Sequence, residues 1–131
     1  MTAYLDTNVV VRHITGEPRD QASRASAYLD QAVELLLPDL IVAEVAYVLE
    51  SFYGFSRSRI AESVRSVILS EAVVVTDAPV LLRAFELYDS LRLDFPDAYI
   101  AALAEGSGVL TVASFDRDFD RIDTIHREEP A

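Results

Sequence analysis

Acidic residues stand at four places where the chain changes character. Asp6 ends the first apolar run, in YLDTN; Glu44 interrupts an apolar stretch, VAEVAYVL; Asp94 and Asp97 bracket Phe-Pro; and Asp116, Asp118 and Asp120 alternate with other residues in SFDRDFD. An ionised carboxylate offers only acceptor oxygens, and hard divalent cations take oxygen ligands. Acids delivered by several segments can therefore hold such a cation. Two cations about 3.5–4 Å apart position and activate a water and stabilise the leaving oxygen of an in-line phosphoryl transfer. Each acid also has a purely structural reading. Asp6 and Asp77 read as helix caps. Glu44 shares a helical stripe with Leu40, Tyr47 and Ser51, as a solvated face would. Asp94 fits an N-cap with Asp97 three residues on, an arrangement worth roughly 0.3–1 kcal/mol. Arg117 and Arg121 offer the last acids local ion pairs.

Other chemistries find no support. HExxH, GxSxG and a glycine-rich phosphate loop are all missing, and His13 and His126 stand alone and read as surface residues. Without cysteine there is no disulfide and no thiolate-held zinc or iron–sulfur cluster, which suits a reducing cytoplasm. No apolar run reaches the roughly 18 residues of a membrane span, and no signal peptide leads the chain. These features predict a cytoplasmic protein with no membrane association. The formal charge of −11 argues against bulk attraction to nucleic acid. All 11 basic residues are arginine, so a local arginine patch or a metal-bridged phosphate contact stays open.

The elements that must position these acids follow from pattern and punctuation. At 131 residues, half of them apolar, the chain predicts one domain, 1–131. AYL at 3–5, ELLL at 34–37, AVVVT at 72–76 and VLTVA at 109–113 read as strands, with DTIH at 123–126 as a last edge strand. Helical patterns run from Asn8 to Ile14, from Asp20 to Val33, from Leu40 to Tyr53, from Ser56 to Ser70, from Asp77 to Arg92, and from Asp94 to about Gly106. Strands that are short continuous apolar runs alternating with helices predict an α/β fold whose parallel sheet is covered on both faces. Such sheets bind ligands beyond the carboxyl ends of their strands, where the acids collect.

AYLDTNVVV, AEVAYVL, LDFPDAYIAALAEGSG and LTVASFDRDF resemble, in order, the motifs of the PIN-domain ribonucleases, and most closely the VapC-type toxins of type II toxin–antitoxin systems. The resemblance covers essentially the whole chain, and its third segment is the most specific. It implies a three-layer α/β/α sandwich with a central parallel sheet of four or five strands. It implies Mg2+- or Mn2+-dependent endoribonuclease activity that leaves 5′-phosphate and 3′-hydroxyl ends. The family's metal-site and catalytic acids map onto Asp6, Glu44, Asp97 and Asp116, with Asp118 as a second acid from the last motif; Asn8 and Ser114 stand at polar positions that orient water or a ligand. Asp116 or Glu44 would orient the attacking water. Arg12, Arg19 and Arg24, just downstream of Asp6, are candidate RNA phosphate contacts. The resemblance also implies a small antitoxin partner and a homodimer, with the helix around residues 43–53 as the dimer surface.

Two rivals differ in class. A haloacid-dehalogenase-like phosphatase would need an Asp two residues after Asp6, where Asn8 stands. A catalytically silent PIN-like module would bind RNA or protein without cleaving, and Mn2+-dependent RNA turnover separates it from the enzyme.

Overall fold

Parallel strands need a crossover between them, and a helix is the usual one. The computed structural model describes residues 2–31 and 34–131. They pack as two units, one ending at Thr76 and one beginning at Asp77. In the first unit, β1 (Thr2–Tyr4), β2 (Glu34–Leu36) and β3 (Val73–Val74) form a parallel sheet in that order, Ala3 opposite Leu35 and Leu35 opposite Val73. Leu35 is fully buried, as the middle strand of a covered sheet requires. The crossovers are helices: α1 (Thr7–Thr15) and α2 (Arg19–Gln31) between β1 and β2, then α3 (Asp39–Ser51) and α4 (Arg57–Ile68) between β2 and β3. The described part of the expected helical stretch to Val33 is helical through Gln31, and residues 32 and 33 lie outside the described residues.

Local chemistry sets these helices. Ser56 Oγ accepts from the Arg59 amide and starts α4. Gly16 ends α1 in the left-handed region, at φ 74°, where a glycine carries no Cβ penalty. In α3, Val42, Val45, Ala46 and Leu49 are buried at helical spacing. Leu40, Glu44, Tyr47 and Ser51 are exposed on the same helix, so Glu44 does lie on a solvated stripe.

The second unit pairs α5 (Ala78–Ser90) with α6 (Phe95–Ser107) and adds β4 (Thr111–Ala113), a 3-10 turn (Arg117–Arg121) and β5 (His126–Glu128). Asp77 caps α5, as expected, by accepting from the Val80 amide at 3.1 Å. Small residues let the two helices approach: Ala98, Ala101 and Ala102 are buried, and a Cβ on Gly106 would lie 3.3 Å from Val80 Cγ2. Phe85, Tyr88 and Phe95 fill the other end of the contact, Phe85 and Phe95 with centroids 4.7 Å apart. Arg83 grips Glu105 with two guanidinium nitrogens, Nε at 2.7 Å. β4 and β5 are parallel, Thr111 opposite His126. The last strand thus begins where the expected 123–126 strand ends. All five expected strands exist, distributed as a three-stranded and a two-stranded parallel sheet.

Candidate functional site

The ladder of β1 continues one residue past the strand, with Leu5 N donating to Leu36 O at 2.9 Å. Asp6 is the next residue, at the carboxyl end of the strand where the sheet rule puts a ligand. Its Oδ1 accepts from the Thr7 amide at 2.8 Å, so the capping role holds. That bond leaves Oδ2 without a partner among the described residues. Thr7 is a buried polar residue, 8% exposed, and its hydroxyl donates to Glu44 Oε2 at 2.8 Å. One residue therefore holds both candidate site acids of this unit: its amide takes Asp6 and its hydroxyl takes Glu44. Sequence reasoning passed over Thr7 although it stands between Asp6 and Asn8 in the motif. The signal was a hydroxyl at a strand end, where burial demands a hydrogen-bond partner.

A second strand end carries the remaining acids. Ser114 N donates to Glu128 O at 3.0 Å and closes the β4–β5 ladder. Ser114 Oγ then accepts from the Asp116 amide at 2.9 Å, and Asp116 Oδ1 accepts from the Asp118 amide at 2.9 Å. These bonds fold the SFDRDFD segment into a tight turn with Asp116 and Asp118 exposed. Asp97, half-buried in the first turn of α6, joins them: one oxygen from each of Asp97, Asp116 and Asp118 lies within 4.8 Å of the others. Burial, and then the negative charges of Asp116, Asp94 and Asp118, raise the Asp97 pKa above the usual aspartate value. The capping-box reading of Asp94 and Asp97 loses ground, because Asp94 sits at the N-cap yet its side chain makes no capping hydrogen bond.

An arginine that sequence reasoning did not single out braces this turn. Arg127, on β5, grips Asp120 with Nε at 2.9 Å and Nη2 at 3.3 Å, and its Nη1 donates to Ser114 O at 3.1 Å. It ties the two ends of the turn that carries Asp116 and Asp118. Asp120 accordingly pairs with Arg127, not with its neighbours in sequence, while Arg121 reaches Asp118 only at 3.8 Å. Arg127→Gln should lower stability, read as an earlier denaturant midpoint. Lysine should not rescue it, since the loss is of a planar fork and not of charge. An unchanged midpoint in the glutamine variant would contradict the clamp.

In the first unit, Arg12 and Arg24 line an open groove of about 620 Å3 together with Asp6 and Asn8. Arg19, the third expected phosphate contact, is exposed and not among the lining residues. His13 is not the free surface residue expected: it is half-buried, and its Nδ1 lies 2.7 Å from Ser26 Oγ on α2.

The chemistry of the trio in the second unit follows from its donors. Three carboxylates converge, all oxygen, and among the described residues the one ion pair to them is Arg121 with Asp118 at 3.8 Å. Such a set fits a hard divalent cation and no soft metal.

Comparison with known proteins gives the family. The PIN-domain family model matches residues 3–125. A VapC ribonuclease of Aquifex aeolicus (strain VF5) is 26% identical over 122 residues, covering 90% of each chain. Among solved structures, VapBC2 of Rickettsia felis, bound to a DNA fragment from its promoter, aligns over all of both chains at 18% identity with a TM-score of 0.39. Mycobacterium tuberculosis VapC20, a toxin that cleaves the sarcin–ricin loop, aligns over 92% of this chain and 95% of its own at 20% identity, with a TM-score of 0.43.

Proposed function

The chain belongs to the PIN-domain family, and on that premise we propose that it is a divalent-metal-dependent endoribonuclease, the toxin of a toxin–antitoxin pair. The observation that carries the reading is the convergence of Asp97, Asp116 and Asp118 in one turn-and-helix arrangement. These three would hold Mg2+ or Mn2+. A cation there supplies Lewis acidity toward a phosphate oxygen and makes water a better nucleophile at neutral pH. Asp6 and Glu44 are assigned to the same reaction by the family motifs, and Thr7 keeps Glu44 in place through its 2.8 Å bond. A carboxylate, Asp116 or Glu44, takes the proton of the attacking water. Water adds to phosphorus, the bond to the 3′-oxygen breaks, and that oxygen takes a proton from solvent and leaves as a hydroxyl.

Mapping the ends of the products tests this chemistry. An unstructured oligoribonucleotide incubated with the protein and Mn2+ should yield fragments with 5′-phosphate and 3′-hydroxyl ends. Cyclic phosphate ends would mean attack by the ribose 2′-hydroxyl, which needs no activated water, and would overturn the mechanism.

The partners follow from the same reading. Exposed carboxylates invite a cation, so the antitoxin presents an arginine or similar group to them. Residues 43–53, where Tyr47 on α3 and Phe52 just past its end are exposed, are the surface proposed for a second copy. No helix among the described residues is long and apolar enough to cross a membrane, and action on cellular RNA places the protein in the cytoplasm.

A further inference from the structure

The groove that Asp6 lines also has residues that catalysis does not use. Tyr4 precedes Asp6 by two residues and is 75% exposed, and Tyr28, 37% exposed, stands on α2 at the same groove. Neither ring stacks on another aromatic, and neither hydroxyl has a hydrogen-bond partner, among the described residues. Tyr4, left this open, contributes little to the fold, since burying the ring is what would stabilise it. The groove faces are built by helical spacing. Asn8 and Arg12, four apart, come from α1; Gln21, Arg24 and Tyr28, at intervals of three and four, come from α2. Arg12 spends Nε on Gln21, which leaves its terminal amino groups for another acceptor. Arg24 pairs with Asp20 at 3.3 Å through two exposed side chains, a contact of little strength that a phosphate can displace.

Two tyrosines that line it and two guanidinium groups around about 620 Å3, next to Asp6, make a site for one kind of ligand. We propose that Tyr4 and Tyr28 stack on an unpaired base of the RNA substrate while Arg12 and Arg24 hold its flanking phosphates, so that the groove selects single-stranded RNA. Stacking accepts any base, because every base has a π face, and it excludes a duplex, whose base faces are covered by their neighbours. Arginines supply the charge that an otherwise acidic chain lacks. The inference rests on the ribonuclease reading for its substrate, and its test separates the two.

Tyr4→Ala, Tyr28→Ala and the corresponding phenylalanine variants would be compared with wild type in two assays. One is cleavage kinetics with Mn2+ on an unstructured oligoribonucleotide and on the same strand annealed to its complement. The other is binding of that oligonucleotide, carrying 2-aminopurine, without metal. Each alanine variant should raise KM and weaken binding on the order of tenfold or more, with kcat and the Mn2+ effect on melting temperature unchanged. Phenylalanine should restore both, because the ring and not the hydroxyl does the stacking. Wild type should cleave the annealed strand poorly. Alanine variants with wild-type KM and binding would overturn the inference and leave the groove to another occupant, such as a protein segment. Phenylalanine variants as weak as alanine, or equal cleavage of the annealed strand, would overturn it too. If wild type binds the oligonucleotide through the tyrosines yet never cleaves it, the nuclease reading fails and the stacking site stands.

Discussion

Asp97→Asn should reduce RNA cleavage by orders of magnitude and leave the metal-free protein as stable as wild type or more so. Two readings of Asp97 give opposite signs for stability. If the residue only supplies negative charge to the first turn of α6, its loss costs roughly 0.3–1 kcal/mol and touches neither metal nor RNA. If it is a ligand, asparagine removes one of three converging carboxylates. Two full charges about 5 Å apart repel by roughly 3 kcal/mol at an effective dielectric of 20, and less where water screens them. Relief of that repulsion opposes the lost dipole contribution. The raised pKa of Asp97 carries the same sign, since burial and the charges of Asp116, Asp94 and Asp118 all disfavour its ionised form. Denaturant unfolding without metal, beside a cleavage assay, reads both quantities. A less stable variant that cleaves at the wild-type rate would remove Asp97 from the site.

Mn2+ should stabilise the wild-type protein strongly. A ligand at about a hundred times its dissociation constant adds about 2.7 kcal/mol when it binds only the folded state. For a domain of this length that is on the order of 10 °C in melting temperature. Mg2+ should act in the same direction, and a chelator should return the curve to its metal-free position. The increment should shrink in Asp97→Asn and in Asp116→Asn. It should also shrink when the turn loses its Arg127 brace, because the ligands are then held less firmly. A thermal scan that does not move at millimolar Mn2+ and Mg2+ would mean that the trio holds no cation.

The sequence showed the parts of this arrangement that are local. Strands of β-branched residues, caps at Asp6, Ser56 and Asp77, and the stop at Gly16 depend on near neighbours, and the structure has them. The parallel sheets followed from continuous apolar runs such as ELLL. What stayed hidden depends on partners distant in sequence. Nothing near Thr7 announces that its hydroxyl will meet Glu44, 37 residues on. Arg127 sits in His-Arg-Glu, a wholly polar strand with no apolar alternation to mark it, which is why the last strand was expected three residues too early. Asp120 looked paired with adjacent arginines because sequence distance is all that a sequence displays, and in the fold the reach of β5 wins. The Asp94–Asp97 capping box was reasonable by spacing alone. It fails because the Asp94 side chain makes no capping bond, while Asp97 belongs to the acid cluster.

Metal-dependent hydrolysis of RNA is the central claim, and a reversible chelation experiment tests it most directly. Purified protein would be mixed with an unstructured oligoribonucleotide in Mn2+, then with excess EDTA, then with Mn2+ restored beyond the chelator. Cleavage that proceeds, stops and resumes in that order, and that is missing throughout in Asp97→Asn, is the predicted result. RNA that stays intact in Mn2+ while bound to the protein, or cleavage that continues in EDTA, would contradict it.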